Sequence, residues 1–281
     1  MIGAIVGDIA GSRFEWKNRK TKHFTLLKGR NEEAWHFCYF TDDTVMTLAV
    51  ADAIMKWREG CDGSYKALSI EAVKSMQAFG CHYPDAGYGG SFWRWLHDND
   101  PKPYNSWGNG AAMRVSACGW AGRTLDEVKT MSRSVTEVTH NHPEGIKGAE
   151  VTAVATFLAR TGKTMEEIRE IVECDYFPLG FTLDEIRPTY EFDVSCQGSV
   201  PQALEAFFES TSFEDAICNA ISVGGDSDTI GAICGAVAGA YYGIPDDIRV
   251  QAESFLDDYL LNTLHVFENW NWDSAKTRQG E

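Results

Sequence analysis

The chain lacks every pattern that would point to a thiolate metal site. Its eight cysteines stand at positions 38, 61, 81, 118, 174, 196, 218 and 234, and none pairs into a Cys-x-x-Cys unit. That excludes ribbon-type zinc sites and dithiol redox centres, and scattered reduced thiols fit a cytoplasmic protein. Proline is scarce, with 8 in 281 residues, and no stretch is rich in proline, serine or charge. No linker divides the chain, so one domain over residues 1–281 is expected. Positive charge is also short: 25 basic residues face 41 acidic ones, a net charge of −16. Such a field repels phosphate backbones and anionic bilayers, so neither nucleic acid nor a membrane is an expected partner.

Long hydrophobic runs are missing too. The apolar stretch from Thr229 to Ile244 is too short for a bilayer span, and Gly231, Gly235, Gly239 and Gly243 recur at every fourth position in it. That spacing puts small residues on one helix face and predicts a buried helix closely approached by another. The opening Met1-Ile2-Gly3-Ala4 has no basic region, and its apolar run ends at Asp8, unlike a secretory signal. Strand-like alternation is limited to Tyr190 to Val194.

Helical spacing fills most of the rest. It predicts helices over residues 2–11, 43–57, 69–79, 92–97, 111–119, 124–136, 144–159, 164–174, 200–209, 212–222, 230–241 and 245–264. Thr124 with Glu127, and Thr164 with Glu167, have capping-box spacing. The segment from Ser12 to Cys38 is long, polar and irregular, as functional connections often are. Gly80 to Gly90 reads as a loop, and the tail after Trp272 is polar. The fold class is all-α: a compact, single-domain, multi-helix orthogonal bundle.

What the chain does have is a repeated acidic helix start. Thr41-Asp42-Asp43-Thr44 and Asp226-Ser227-Asp228-Thr229 each open a helix, the second after Gly224-Gly225. Capping explains one such residue per helix, because Asp and Thr are favoured N-caps and acids complement the helix dipole. Two acids flanked by hydroxyls in each of two helices exceed that need. The carboxylates and hydroxyls are hard oxygen ligands, suited to Mg²⁺, Mn²⁺ or Ca²⁺ rather than zinc. If the fold brings both starts together, divalent cations relieve the repulsion of four carboxylates, as in a binuclear metal hydrolase.

Further segments complete a pattern: Gly7-Asp8-Ile9-Ala10-Gly11-Ser12 with Glu15, Phe40-Thr41-Asp42-Asp43-Thr44, Gly108-Asn109-Gly110-Ala111-Ala112-Met113-Arg114, Thr139-His140, and Gly224-Gly225-Asp226-Ser227-Asp228-Thr229. Together, and in this order, they resemble the ADP-ribosylglycohydrolase family, the group that includes dinitrogenase reductase activating glycohydrolase and the animal ADP-ribosylhydrolases. The resemblance implies an all-α domain with two Mg²⁺ or Mn²⁺ ions in a cleft, hydrolysing the bond between ADP-ribose and an acceptor. By motif match, Thr41, Asp42, Asp43, Asp226, Asp228 and Thr229 would be the metal ligands. Cations there would orient ribose hydroxyls and lower the pKa of a water, while carboxylates stabilise oxocarbenium character at the anomeric carbon.

The resemblance also assigns Glu15, otherwise an ordinary surface charge, to a mobile flap near the metals. There it would be a metal-proximal ligand or the general acid/base. Asp85, an ordinary turn residue by itself, would face the ribose. Asp42 and Asp226 complete the expected catalytic set. Gly87, Gly89, Gly108, Asn109 and Gly110 would let backbone cradle a pyrophosphate. Tyr88 and Trp107 are candidates to stack on adenine or flank ribose, although such aromatics are commonly core. His140 would hydrogen-bond ribose or phosphate, His142 satisfies a loop, and Arg114 would pair with a carboxylate near the site or form a buried salt bridge.

The expected partner is an ADP-ribosylated protein, arginine-linked by preference, or a small-molecule ADP-ribose conjugate, and a monomer is expected. A catalytically idle ADP-ribose-binding relative and a binuclear phosphoesterase acting on a nucleotide are the alternatives. Loss of a metal carboxylate would favour the first, and histidine ligands the second. Acceptor preference is expected to reside in loops such as Arg13 to Cys38.

Overall fold

The computed structural model describes residues 1–29, 37–60 and 62–270. The polar tail after Trp272 and Cys61 lie outside the described residues. Regular structure there is α-helical, with one short 3₁₀ turn at Asn109–Ala111. The helices are α1 (Ile2–Ser12), α2 (Asp42–Gly60), α3 (Tyr65–His82), α4 (Gly90–Leu96), α5 (Ser116–Ala121), α6 (Leu125–Thr136) and α7 (Pro143–Arg160). They continue as α8 (Met165–Asp175), α9 (Leu183–Ile186), α10 (Cys196–Phe208), α11 (Phe213–Val223), α12 (Ser227–Tyr242), α13 (Asp246–Glu253) and α14 (Asp258–Glu268). The expectation of an all-α bundle holds.

Two glycine-bearing helices form its axis. Every residue of α1 is buried, which an amphipathic surface helix would not allow. Its Gly3, Gly7 and Gly11 meet α12 in antiparallel register at Gly235, Gly231 and Ser227. The fit is backbone against backbone: a Cβ on Gly7 would lie 1.9 Å from the Gly231 carbonyl oxygen, and one on Gly3 would lie 2.3 Å from that of Gly235. The four-residue glycine spacing on α12 is thus a docking groove for α1, and α1 carries the matching spacing. Around this pair, α2 packs on α1, α3 and α14, while α7 packs on α5, α6, α10 and α12. No helix among the described residues is long and apolar enough to cross a membrane.

Capping explains most boundaries. Thr124 accepts from Glu127 N at 3.2 Å, and Thr164 with Glu167 forms the full reciprocal capping box. Where the expected limits differ, a cap or a close contact decides. The long helix read over 245–264 is two helices, because Asp257 accepts from the N–H groups of Tyr259 and Leu260 and starts α14. Helix α10 begins at Cys196, capped by Ser195 on Gly198 N at 3.0 Å, and Pro201 lies inside it. Helix α3 runs through Gly80, where the chain is pressed against Leu96. The helix read over 111–119 divides into the 3₁₀ turn and α5. The short helix α9, with its own Thr182–Glu185 capping box, has no counterpart in the sequence reading. No strand forms at Tyr190 to Val194; the nearest pairing is an isolated antiparallel bridge between Gly108 and Ser195.

A Gly7→Ala substitution must separate α1 from α12 and is expected to destabilise by about 1–3 kcal/mol or more in chemical denaturation. Gly60→Ala, whose added Cβ meets nothing within 4 Å, is expected to be neutral or stabilising by up to about 1 kcal/mol.

Candidate active site

The seam between α1 and α12 fixes where the acidic motifs fall. Asp8 lies on α1, fully buried, and accepts four hydrogen bonds from the start of α2: Thr41 N at 3.0 Å, Thr41 Oγ1 at 2.7 Å, Thr44 N at 3.0 Å, and Thr44 Oγ1. It therefore satisfies N–H groups that would otherwise be orphans at a helix start. Asp42 and Asp43 are released from capping and turn elsewhere. On the opposite side, Gly224 and Gly225 take φ of +78° and +71°, conformations that favour glycine, and lead into α12. Asp226 occupies the N-cap position of α12 yet makes no side-chain cap bond. It accepts instead from Asn109 Nδ2 at 2.7 Å, and Asn109 also donates to Ser199 Oγ at 3.0 Å.

The two motifs meet. Thr229 Oγ1 donates to Asp43 Oδ2 at 3.2 Å, across 186 positions of chain. Carboxylate oxygens of Asp8, Asp43 and Asp228 lie within 4.8 Å of one another, as do those of Glu15, Asp226 and Asp228. Asp42 N bonds the Ala86 carbonyl at 2.8 Å, bringing the Gly87 turn, with φ of +107°, alongside the Asp42 carboxylate. The result is a cleft of about 600 Å³ with Thr41, Asp42, Asp43, Asp226, Asp228, Thr229 and Glu15 on its acidic wall. Gly87, Gly89, Gly108, Asn109, Gly110 and His140 also line it, and Asp85 stands exposed at its rim, shared with a neighbouring cavity.

Burial and crowding shift these acids upward together. Burial first, then Asp8 and Asp226, push Asp42 up to about 8. Burial followed by the same two neighbours in reverse order pushes Glu15 to about 7. Asp43 and Asp228 are raised well above the usual carboxylate range, chiefly by burial and then by neighbouring acids. Among the described residues no ion pair reaches any of the six acids.

With an all-α fold and this convergence in hand, comparison with known proteins is decisive. The family described as ADP-ribosylglycohydrolase matches residues 1–271. The chain belongs to that family. It is similar to human ADP-ribosylhydrolase ARH3, 26% identical over 95% of this chain and 92% of the relative. It is also similar to ADP-ribosylarginine hydrolase Tri1 of Pseudomonas putida, 24% identical over 87% of this chain and 70% of the relative. A solved structure titled ADP-ribosylglycohydrolase-related protein complex shares the fold, with TM-score 0.61 and 23% identity over 98% of this chain and 93% of that one. ADP-ribosyl hydrolysis is the activity this membership supports.

Not every expected residue reaches the cleft of this ADP-ribosylglycohydrolase. Tyr88 does not line it: its ring packs on Phe92 at 5.7 Å between centroids and its hydroxyl is buried without a partner. Trp107 stands outside, half exposed, 5.5 Å from the His142 ring. His142 caps α7 by accepting from Glu144 N at 3.1 Å. Arg114 forms no ion pair among the described residues and donates to Thr139 Oγ1 at 2.6 Å, which corrects the salt-bridge expectation. Residues given no role from sequence include Asp8, whose signal was a lone acid in an otherwise apolar helix, and Tyr104 and Ser106, which line the cleft.

The donor set fits divalent cations. Asp43 Oδ1 is buried without any hydrogen-bond partner, although a carboxylate oxygen there is costly unless compensated. All candidate donors are hard oxygens, as Mg²⁺ or Mn²⁺ prefers.

A stability prediction follows from the raised pKa values. A carboxyl whose folded pKa exceeds its unfolded value binds more protons in the native state, so stability falls as pH rises from about 4 toward about 8, the value for Asp42. In EDTA, Tm is expected to drop by on the order of 5 °C between pH 5.5 and 8.5. Added Mg²⁺ or Mn²⁺ is expected to raise Tm most at the alkaline end, read by differential scanning fluorimetry.

Proposed function

We propose that this chain is a metal-dependent ADP-ribosyl hydrolase, one domain over residues 1–281, that releases ADP-ribose from an acceptor. ADP-ribosyl-arginine is the favoured substrate, in keeping with the arginine linkage named for the Tri1 relative. The observation that carries the reading is the convergence of Asp42, Asp43, Asp226 and Asp228 in a single cleft, none of them held in an ion pair among the described residues. Its volume lies in the range of sites that enclose ligands of nucleotide size. An idle relative would be free to lose a carboxylate of this set; all are present.

In this reading Thr41, Asp42 and Asp43 from one side, and Asp226, Asp228 and Thr229 from the other, hold two Mg²⁺ or Mn²⁺ ions. Bound there, the cations supply charge neutralisation and Lewis-acid polarisation of ribose oxygens. Asp8 keeps the Thr41 side in place, and Asn109 keeps Asp226 aimed. As the bond from the anomeric carbon to the acceptor nitrogen breaks, positive charge grows on the sugar and the acidic wall stabilises it. Water forms the new carbon–oxygen bond. Its proton passes to the Glu15 carboxylate, which lies beside Asp226 and Asp228, and then to the leaving nitrogen. Asp85 at the rim faces the ribose. Gly87 and Gly89 on one side, and Gly108 and Gly110 on the other, give the pyrophosphate close access to backbone. Trp107, 51% exposed, remains available to cover adenine from outside the cleft. Tyr88 supports that region through Phe92.

Incubation with ADP-ribosyl-arginine, ADP-ribosyl-serine and O-acetyl-ADP-ribose is expected to release free ADP-ribose with Mg²⁺ and none with EDTA. Absence of release from all three under Mg²⁺ contradicts the proposal. Asp42→Asn and Asp226→Asn are each expected to abolish turnover while helical content by circular dichroism is kept, and Glu15→Gln to lower kcat roughly 10²–10⁴-fold. Undiminished turnover in either aspartate variant refutes the metal assignment.

A further inference from the structure

Among the described residues Arg114 is the largest fully buried side chain, 1% exposed, and it forms no ion pair there; the Asp42 carboxylate acts on its charge only from beyond contact. Its Nε is buried without a hydrogen-bond partner, and its guanidinium lies 5.4 Å from the centroid of Phe92. A cation buried without a counter-ion is costly, so its contacts carry information. One Nη2 lies 2.6 Å from Thr139 Oγ1 and 3.5 Å from His140 Nδ1, and Thr139 Oγ1 itself lies 2.7 Å from that Nδ1.

Hydrogen-bond logic fixes the direction of this chain. A guanidinium only donates, so Thr139 Oγ1 accepts from Arg114 and has a single proton to give. Its possible acceptors are His140 Nδ1 at 2.7 Å and the Thr136 carbonyl at 3.3 Å. The first distance is normal for a hydroxyl donor and the second lies beyond the usual range. A proton on Nδ1 would in addition point toward the cationic Nη2. Nδ1 is therefore the acceptor and Nε2 carries the proton. On the cleft side, Nε2 stands 3.5 Å and 3.6 Å from where a Cβ of Gly108 or Gly110 would be, so two glycines leave it open to a ligand.

We infer that Arg114 and Thr139 are positioning residues that hold His140 as a neutral Nε2–H donor aimed into the cleft at a phosphate or ribose oxygen of the substrate. The identity of that ligand rests on the hydrolase reading; the tautomer does not. The ionisable groups facing the ring are Arg114 and Tyr104, the latter 5.9 Å away between ring centroids. Burial and the adjacent guanidinium push the His140 pKa well below its ordinary value, so no imidazolium forms near neutrality. The arrangement thus offers an anion a directed hydrogen bond without a titrating charge.

Long-range ¹H–¹⁵N correlation spectra of the full, ¹⁵N-labelled, Mg²⁺-supplied chain read the tautomer without any substrate. At pH 7 the wild-type His140 is expected to show a protonated Nε2 and a bare Nδ1. Arg114→Met, with Thr139 free to donate to Thr136, is expected to show both tautomers, and Thr139→Ser to keep the wild-type pattern. In turnover of ADP-ribosyl-arginine, Arg114→Met should raise KM roughly threefold to tenfold with a smaller change in kcat. A wild-type proton on Nδ1, a wild-type imidazolium at pH 7, or an unchanged tautomer in Arg114→Met overturns the inference. If Arg114→Met does not fold, the wild-type spectrum decides alone. A chain inactive on every substrate but showing the expected spectrum would refute the hydrolase reading and leave the relay standing.

Discussion

Backbone lies directly against backbone where α1 meets α12, and the functional geometry hangs from that contact. Gly3 and Gly7 face Gly235 and Gly231 with no room for a Cβ on either side. The closeness is what allows Asp8 on α1 and Asp228 on α12 to share one cluster with Asp43. With ordinary side chains in the seam the helices would stand a few ångströms further apart, and Thr229 would lose its bond to Asp43. Small residues here set a distance that the chemistry requires.

The second constraint is charge. Six acids gather within or beside the cleft; burial raises the pKa of each, and neighbouring acids of the set add to the rise at Glu15, Asp42, Asp43 and Asp228. A protein with net charge −16 has little long-range positive field to offset this. The same crowding that destabilises the ionised cluster makes it a strong acceptor for divalent cations. Neutral groups do the local work: Thr41, Thr44 and Asn109 orient the carboxylates by hydrogen bonds, and on the far side Thr139 orients His140.

Much of this was legible in the sequence because its signals are local. Doubled acids at two helix starts, the Gly224-Gly225 turn, the glycine spacing of α12 and the capping boxes each depend on neighbours within a few residues. What escaped depends on pairings across the chain. Asp8 looked like the end of an apolar run, because its partners Thr41 and Thr44 lie on another helix. The matching glycines of α1 could not be paired with those of α12 from periodicity alone. Arg114 suggested an ion pair by its type, yet its hydrogen-bond partner is the Thr139 hydroxyl, brought in from the α6–α7 connection. Tyr88 and Trp107 carried the right chemistry for a stacking role, and packing against Phe92 and His142 turned them away from the cleft. The division of 245–264 into two helices hinged on the Asp257 cap, which helical periodicity conceals.

The central claim is that the converged carboxylates form a two-cation site. Titration of the metal-free chain with Mn²⁺, followed by electron paramagnetic resonance of free and bound ion, tests it most directly. The account predicts two Mn²⁺ bound per chain with the magnetic coupling of a close pair, and loss of that coupling in Asp43→Asn. Absence of bound Mn²⁺, or binding left intact when Asp43 and Asp228 are both changed to asparagine, would contradict it.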